Sequence, residues 1–437
     1  MNTPERLLQI LLLVALASPA LLVAMLVVLS IPKRPLSERA VARMTSSAVA
    51  TLVVSLTLAL VVYVTAGLEP QTWTAREWLT TTSGALQLDV LVDGWSLSFA
   101  AVSAVICGTV SIFSFRYLHL EQGFVRYFVL YACFVLGVQL VALAGSVEVL
   151  FAGWELLGLS SSLLVAFFHE RRSPVVNGMR VFAIYRVSDA AMLVAAVLVH
   201  HLVGSGSLAT LFRAGTVESL DGTSRAQLVT ISAFLLLAVA SKSALVPFSG
   251  WLPRAMEGPT PSSAVYYGAL SVHAGCYLLW RASPIIQSSL VSQALVIAVG
   301  ATTAVYAALA SRVQTNVKAA LSYATLTQVG VIVVEIALGF RTLAFIHLLG
   351  NACVRLVQFL MAPNVLLDLH GLEARTKTPT RWPRLYAFAL QDGGLDVFLD
   401  QLVERVFRPI ARVGQRLDEK LSGERPIEPR AEKETSE

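Results

Sequence analysis

About eleven apolar stretches, each long enough to cross a lipid bilayer, run through this chain and limit what it can fold into. A helix needs about 20 apolar residues to span the hydrocarbon core. Hydrophobic residues make up 56% of the 437 residues and charged residues 14%, against roughly 25% charged in soluble domains. Because lipid offers no partners to backbone polar groups, each stretch must be helical. The sequence therefore predicts an all-α, polytopic integral membrane helix bundle.

The predicted spans divide the chain into three regions. Residues 1–92 hold N-terminal spans and an outer loop, residues 93–366 hold the main transmembrane domain, and residues 367–437 form a polar cytoplasmic region. The spans lie near residues 7–30, 46–68, 93–113, 126–145, 147–168, 180–202, 227–247, 261–281, 290–310, 319–339 and 342–366.

Lysine and arginine residues concentrate in alternate short loops, for example at Arg34 and Arg39 after the first span and at Arg171 and Arg172 after the fifth. The positive-inside rule then predicts a multi-pass protein of the bacterial inner membrane, with its N-terminus outside and its C-terminus in the cytoplasm. The same loops account for the net charge of +5, so we expect membrane lipid and not nucleic acid as a partner.

The C-terminal region begins with a basic linker that contains proline and continues with apolar residues at helical spacing from Leu395 to Leu417. This pattern predicts an amphipathic helix that lies on the membrane or on a partner protein. A helix folded back on the protein's own cytoplasmic loops is an equal alternative. The residues from Ser422 onward are highly charged and are predicted to be disordered.

No cofactor site is evident in the sequence. The four cysteines lie singly in apolar stretches, with no CxxC pair, and no flavin, iron–sulfur or nucleotide-binding motif occurs. We therefore expect no cofactor and no metal ion. The chain is predicted to be a transport or coupling subunit without a redox site of its own.

Two carboxylates mark the fifth predicted span. A charge at membrane depth costs about 2.5–3.5 kcal/mol on insertion scales and indicates a functional site by default. Glu155 lies well inside the span and must be paired with a cation or protonated, which suits a proton carrier. The alternative is a buried glutamate that only holds helices together. Glu148 lies near the outer end and is a candidate for the outer mouth of a proton path.

The seventh predicted span contains Lys242 and ends with Pro247. Proline removes a backbone donor, so a helix break is predicted at Pro247, and such breaks in membranes line wet cavities or are buried in protein. A buried lysine can lose its proton, whereas an arginine cannot. Lys242 is therefore a second proton-path candidate, and a snorkelling lysine is the weaker alternative.

Three more ionisable residues lie in the sixth and eighth predicted spans. Arg186 and Asp189 stand at i and i+3, so they are predicted to form a permanent ion pair that supports Glu155 or Lys242. His273 can exchange a proton near neutral pH and is a relay candidate, although a neutral core histidine is nearly as good an interpretation.

The tenth predicted span begins with Lys318 and contains Glu335 near its outer end. Polar side chains that could order water follow Lys318 along the span. They are Ser322, Tyr323, Thr325, Thr327 and Gln328. Lys318 is assigned to the proton path, and Glu335 is a second outer-mouth candidate or an interfacial charge.

The order and spacing of four motifs resemble one family of membrane proteins. The motifs are Gly153-Trp154-Glu155 with Gly158-Leu159-Ser160, Arg186-Val187-Ser188-Asp189, Ser241-Lys242-Ser243 through Trp251-Leu252 to Met256-Glu257-Gly258-Pro259-Thr260-Pro261, and Gln314-Thr315-Asn316-Val317-Lys318 with Ser322-Tyr323-Ala324. Over residues 90–365, the chain is similar to the antiporter-like subunits shared by respiratory complex I and Mrp-type cation/proton antiporters, and most similar to the NuoL and MrpA branch.

This resemblance assigns roles to residues already selected. Glu155 and Lys242 would be the coupled pair of a proton path, Lys318 would lie in its central polar axis, and Arg186 with Asp189 would support the pair. Energy would arrive through a partner protein.

The sequence also departs from the family pattern. In the eleventh span the family usually has two histidines and a lysine at spacings of four, whereas this chain has His347, Asn351 and Arg355. His347 stays a proton-path candidate, but asparagine cannot carry the proton charge and arginine is always protonated. Tyr267 stands where the family has another histidine. The family's later helices are also missing from the sequence.

These departures favour a shortened DabB-type subunit of an inorganic-carbon uptake system, which pairs with a large soluble zinc-binding DabA-like protein. We therefore expect a proton-translocating subunit that couples the proton gradient to uptake of carbon dioxide or bicarbonate. The alternatives are a NuoL-like subunit of NADH-quinone oxidoreductase, an Mrp-type cation/proton antiporter, and a membrane anchor that no longer conducts.

Overall fold

The computed structural model describes residues 3–31, 36–81, 84–203, 206–208, 222–314 and 316–362, with a few isolated positions after residue 387. Within these ranges, nine helices are long and apolar enough to cross a membrane. The predicted class, an all-α polytopic membrane protein, is confirmed. The predicted amphipathic helix from Leu395 to Leu417 lies outside the described residues except for isolated positions.

Seven helices form the first part of the bundle. They are α1 (Thr3–Ser30), α2 (Glu38–Thr65), α3 (Gly94–Tyr117), α4 (Phe124–Leu143), α5 (Val147–Val165), α6 (Arg172–Val203) and α7 (Gly222–Lys242). Sequential neighbours pack against each other, notably α1 with α2, α4 with α5, and α6 with α7. Such pairing of consecutive helices is typical of short connections.

Shorter helical pieces follow α7, and three long helices complete the described bundle. The pieces are α8 (Trp251–Arg254), a 3₁₀ turn (Ala255–Glu257), α9 (Thr260–Ser262), a π-helix (Ser263–Leu270), α10 (Ser271–Arg281) and α11 (Ser283–Gln287). The long helices are α12 (Leu290–Ser311), α13 (Val317–Ala337) and α14 (Arg341–Leu360). The eighth predicted span is therefore a composite of α9, the π-helix and α10.

A β-hairpin lies between α2 and α3, where the sequence analysis placed only a polar outer loop. Strands β1 (Gln71–Thr81) and β2 (Gly84–Val92) pair antiparallel, and irregularities in register separate Thr74 from Arg76 and Glu77 from Leu79. The mixed charges of this segment concealed its threonine, tryptophan and valine content, which favours strands. The Asp89 carbonyl accepts a hydrogen bond from the Gly145 amide at 2.8 Å, so β2 contacts the turn before α5. We call this end of the bundle the hairpin end.

The seventh predicted span is interrupted before its proline. Helix α7 ends at Lys242, and Pro247 lies in the irregular segment that follows. The backbone groups released there find partners: the Ser241 carbonyl accepts from Trp251 Nε1 at 3.0 Å, and the Val246 amide donates to Thr303 Oγ1 at 3.0 Å. The non-helical backbone is thus buried in protein, as a membrane-embedded break requires.

A buried ion pair connects α3 to α10 at the hairpin end. Asp93 is the N-cap of α3, and its carboxylate accepts two hydrogen bonds from Arg281, at 2.6 and 2.9 Å. The Arg281 Nε also donates to the Tyr277 hydroxyl at 3.0 Å. Sequence reasoning missed this pair because its members are far apart in the chain and sit at helix ends.

We expect Asp93→Asn to lower the thermal stability of the purified protein strongly. Asparagine preserves the cap but leaves the guanidinium of Arg281 buried without its counter-charge, which costs about 3–5 kcal/mol in comparable pairs. The measurement is the unfolding temperature in mild detergent. Glu38→Gln is the matched control, since Glu38 pairs with His119 on the exposed surface and surface pairs contribute little. Equal, small shifts in both variants would contradict this account.

Candidate functional site

One arginine holds two carboxylates between α5 and α6. Arg186 Nη2 lies 2.7 Å from Glu155 Oε2 and 2.7 Å from Asp189 Oδ2. The sequence predicted the Arg186–Asp189 pair from its spacing, and the structure adds Glu155 from the neighbouring helix. Two carboxylates therefore share one guanidinium as their counter-charge.

Asp189 is the less satisfied of the two carboxylates. Its side chain is 5% exposed, and neither oxygen accepts a hydrogen bond within the described part of the chain. The short contact with Arg186 is an ion pair whose donor is not aligned with the carboxylate. Because a buried carboxylate normally receives hydrogen bonds, Asp189 is a group that gains from an approaching proton or ammonium.

Lys242 is fully buried at the C-terminal end of α7, facing α5 and α6. Its ammonium donates to the Trp154 carbonyl at 2.8 Å and lies 4.9 Å from the Trp154 ring centre and 4.4 Å from the Tyr185 ring centre. No carboxylate of the described residues lies within 4.0 Å of this ammonium. Neutral groups thus hold the lysine, which makes the loss of its proton less costly than in an ion pair.

Hydrogen bonds fix the three helices around Lys242. Trp154 Nε1 donates to Ser188 Oγ at 3.1 Å, and Ser188 Oγ donates to the Ala238 carbonyl at 2.7 Å. This links α5 to α6 and α6 to α7. Trp154 also precedes Glu155 in sequence, so its backbone connects the lysine to the glutamate cluster. The sequence assigned roles to the charged residues. Ser188 was named only within a motif and Tyr185 was not named, because their roles depend on the packing of α6.

Gly158 leaves the space that the ammonium of Lys242 occupies. A Cβ atom at Gly158 would lie 2.8 Å from Lys242 Nζ and 3.3 Å from the Tyr185 ring. At Gly350 in α14, by contrast, a Cβ would meet nothing within 4 Å. A side chain at Gly158 would therefore displace the ammonium of Lys242 from its present position.

We expect Gly158→Ala to displace the lysine ammonium and to reduce proton movement, with normal insertion into the membrane. Lysine is flexible, so partial loss on the order of tenfold is expected from imperfect positioning. Dye-based proton uptake by everted membrane vesicles measures the effect, and Gly350→Ala is the control. Equal activity in the two variants would show that the position of the ammonium is unimportant.

A second polar group joins α10 to α14. His273 is buried, and its Nε2 lies 2.9 Å from the Asn351 amide nitrogen. Asn351 Oδ1 in turn accepts from Arg355 Nε at 3.3 Å. His273 Nδ1 is buried without a hydrogen-bond partner among the described residues. Asn351 thus connects His273, the predicted relay histidine, to Arg355.

A third polar group joins α13 to α14 nearer the hairpin end. His347 Nδ1 lies 3.0 Å from Glu335 Oε1, and His347 Nε2 lies 2.9 Å from Gln328 Oε1. The sequence predicted His347 in the proton path, and Glu335 at the outer mouth or as an interfacial charge. The structure brings both together, and Gln328 belongs to the predicted polar track of α13.

Lys318 lies at the start of α13, at the end of the bundle opposite the hairpin. Its ammonium donates to Thr260 Oγ1 at 2.8 Å, and that hydroxyl donates to the Tyr117 hydroxyl at 3.1 Å. Lys318 therefore belongs to a hydrogen-bonded set of side chains that is separate from the one around Lys242. Thr260 was named within a sequence motif without a role and Tyr117 was not named, because only the fold brings α3, α9 and α13 together.

Glu148 lies in the first turn of α5, at the hairpin end. Its carboxylate lies beside Gly206, where a Cβ would come within 3.0 Å of Oε1. The Val147 amide donates to the Gly206 carbonyl at 3.0 Å. The helix dipole favours an acidic residue in this turn, which is a sufficient structural reason for Glu148.

Buried polar atoms lie between Lys242 and His273. Tyr185 Oη, Ser271 Oγ and His273 Nδ1 have no hydrogen-bond partner among the described residues. Tyr185 contacts Lys242, and Ser271 lies two positions before His273. Unpaired buried polar atoms usually hydrogen-bond to water in proteins, so this region is suited to a water-mediated route.

Models of one protein family match most of the membrane domain. The model described as the transmembrane part of NADH:quinone oxidoreductase and Mrp antiporters matches residues 144–381. The model described as the N-terminus of chain 5 of NADH-ubiquinone oxidoreductase (complex I) matches residues 78–128. Together the two models include every candidate site residue.

Individual proteins and solved structures agree with this assignment. NADH-quinone oxidoreductase subunit L of Mycobacterium tuberculosis is 32% identical over 66% of this chain and 45% of its own length. The Mrp complex of Dietzia sp. DQ12-45-1b matches 88% of this chain and 40% of that chain, with a TM-score of 0.68 and 25% identity. An archaeal membrane-bound sulfane sulfur reductase shares the fold, with a TM-score of 0.69 and 20% identity. The chain spans about half the length of the curated relatives it matches.

Proposed function

Since the chain belongs to the NADH:quinone oxidoreductase/Mrp antiporter transmembrane family, we propose that it moves protons across the membrane as one subunit of a larger complex. The observation that carries this proposal is Lys242, a fully buried ammonium held by a carbonyl and two rings beside a cluster in which one arginine serves two carboxylates. Such a lysine can exchange a proton, and such a cluster can respond to it.

The proposed step couples the charge of Lys242 to the Arg186 cluster. When Lys242 is protonated, its field stabilises the second negative charge shared by Glu155 and Asp189. When Lys242 releases its proton, one of these carboxylates must take up a proton or turn fully to Arg186. The charge state of one group thus sets that of the other, which is the requirement for moving a proton in steps.

The proposed route continues from Lys242 toward His273. Tyr185 and Ser271 supply hydroxyls between the two, and water completes the connection. From His273 the path would follow Asn351 to the groups on α13 and α14. Asn351 cannot carry the proton charge itself, so its role is to orient His273 and Arg355. Glu148, Glu335 and His347 mark the hairpin end, which we assign to the outer side by the positive-inside rule, and Lys318 marks the cytoplasmic end.

A finer proposal concerns the partner. We propose a large soluble DabA-like zinc protein, so that proton flux would drive uptake of carbon dioxide or bicarbonate. Asn351 and Arg355, which replace titratable family residues, and the basic linker at the start of the C-terminal region support a specialised subunit. The alternatives are a NuoL-like subunit of NADH-quinone oxidoreductase and an Mrp-type subunit, as in the relatives named above.

Isolation of the intact complex tests the partner. Mild-detergent purification of the tagged protein from its native membrane, followed by mass spectrometry, identifies the stoichiometric subunits. A large zinc-binding soluble protein among these subunits is the expected result. Recovery of quinone-reductase or Mrp subunits would reject the carbon-uptake proposal and favour the alternatives.

A second candidate function is a membrane anchor that no longer conducts. Asn351 and Arg355 favour it, because they remove two exchangeable protons from the usual family path. Under this alternative, deletion of residues 393–421 would abolish function while Glu155→Gln would not. Under the proton-path proposal, Glu155→Gln abolishes function by itself. Growth or uptake that depends on the intact complex distinguishes the two.

A further inference from the structure

The outer surface of α13 and α14 is unusually polar for a surface that faces lipid. We call it the α13–α14 face and define it by Gln328, Glu335, His347, Arg355 and Gln358. The side chains of His347 and Glu335 remain 24% and 16% exposed, and Gln358 is exposed. Large apolar residues surround this polar stripe, among them Ile346, Val354 and Val357, which are more than half exposed.

Arg355 is the residue of this face that lacks a counter-charge. Its guanidinium donates to Asn351 Oδ1 at 3.3 Å, to Gln358 Oε1 at 2.6 Å and to the Ala324 carbonyl at 2.9 Å. All three acceptors are neutral. No carboxylate of the described residues lies within 4.0 Å of this guanidinium.

The guanidinium of Arg355 lies within the membrane-spanning part of the bundle. The Ala324 carbonyl that it contacts is about 10 Å along α13 from Val317, at roughly 1.5 Å per residue. Along α14, Asn351 lies one turn further from the C-terminal end than Arg355, and Gln358 lies nearer that end. At this depth along the helices, lipid alone would be an unfavourable neighbour for an arginine without a counter-charge.

We propose that a transmembrane helix of a partner subunit packs on the α13–α14 face and places an Asp or Glu carboxylate against Arg355. The inference rests on the proposed function only in making the chain a subunit of a complex. The carboxylate would form an ion pair with the guanidinium of Arg355, and apolar residues of the same helix would cover Val354 and Val357. Polar and charged residues in membranes normally face such protein partners.

A second copy of this chain fits the face poorly. A twofold axis along the membrane normal would bring two Arg355 residues together at the same depth, like charge against like charge. Two partly exposed carboxylates of the described spans already have side-chain partners: Glu155 contacts Arg186, and Glu335 contacts His347. Residues 363–437 are also unsuited, because every 18-residue window there has at least three charged residues. A helix of another subunit that carries an acidic residue would supply both the counter-charge for Arg355 and the apolar cover for Val354 and Val357.

Photo-crosslinking in native membranes that contain the intact complex tests the proposal. A benzophenone amino acid replaces Val354 or Val357 on the face, and Val305 on α12, which is 63% exposed, is the control position. The expected result is a crosslink from the face, and not from Val305, to a membrane-spanning peptide that contains Asp or Glu. Adducts with lipid only, a second copy of this chain, or a peptide without an acidic residue would each overturn the proposal.

Charge reversal then tests the ion pair itself. Arg355→Glu should reduce the amount of partner retained after detergent extraction by about 10- to 100-fold, as for other buried charge contacts. Exchange of the partner's carboxylate for arginine should restore retention in the Arg355→Glu background. Failure of the exchange, with the subunit still inserted and folded, would contradict the pairing.

The same membranes separate this inference from the proposed function. Glu155→Gln should keep the crosslink from Val354 and lose proton movement. Normal proton movement in Glu155→Gln membranes with the crosslink intact would reject the proton path but keep the interface. If Val354 gave no more specific a crosslink than Val305 while Glu155→Gln still abolished proton movement, the interface would be rejected and the proton path kept.

Discussion

Glu155→Gln is expected to reduce proton movement by about 100-fold or more, which is the usual range for removal of an essential acid–base group. Glutamine preserves the size of the side chain and can still accept a hydrogen bond from Arg186. It cannot take up or release a proton. Arg186 would then pair with Asp189 as the one remaining carboxylate. The cluster around Arg186 could no longer respond to the charge of Lys242 through Glu155.

The experiment compares everted membrane vesicles of the variant and the parent by quenching of a pH-sensitive dye. Glu257→Gln is the matched control, because Glu257 accepts hydrogen bonds from Ser173 and Asn177 at an exposed position on another part of the fold. It should leave proton movement close to the parent level. Parent-like activity in Glu155→Gln vesicles would mean that Glu155 is structural and would favour the anchor function.

Lys242→Met is expected to have an effect of similar size, on the order of 100-fold loss of proton movement. Methionine matches the length of lysine and can pack against the rings of Trp154 and Tyr185. Because an apolar side chain of similar volume removes the desolvation cost of a buried charge, stability should be maintained or increased. Loss of activity would therefore report chemistry and not misfolding.

Two measurements make the Lys242 result decisive. The unfolding temperature of the purified Lys242→Met protein should equal or exceed that of the parent. A Lys242→Arg variant separates charge from proton exchange, since arginine keeps the charge and does not release its proton. Activity retained in the arginine variant would show that a fixed positive charge is sufficient. Activity retained in the methionine variant would eliminate Lys242 from the path.

The class of the protein and its charged candidates were readable from local sequence. Apolar stretches of about 20 residues require helices in lipid whatever their neighbours, so the all-α polytopic class followed directly. Glu155 and Lys242 were conspicuous for the same reason: a charge inside such a stretch is costly. The pairing of Arg186 with Asp189 followed from their spacing on one helix.

Other features depended on contacts between distant segments. The sequence placed a break at Pro247, but α7 already ends at Lys242 because Trp251 and Thr303 satisfy the released backbone groups. The hairpin of β1 and β2 went unrecognised because its strands contain charged residues and, at 11 and 9 residues, are too short to resemble a membrane span.

The sequence by itself determined that this chain crosses a membrane repeatedly and carries ionisable residues where lipid tolerates few, because hydrophobic length and buried charge are local properties of a chain. Only the tertiary structure decided what these residues contact. Arg186 reaches Glu155 across a helix interface, Lys242 is held by a carbonyl of α5, and Arg355 has no carboxylate among the described residues. Such contacts depend on how helices pack, and packing joins residues that the spacing within one helix cannot relate.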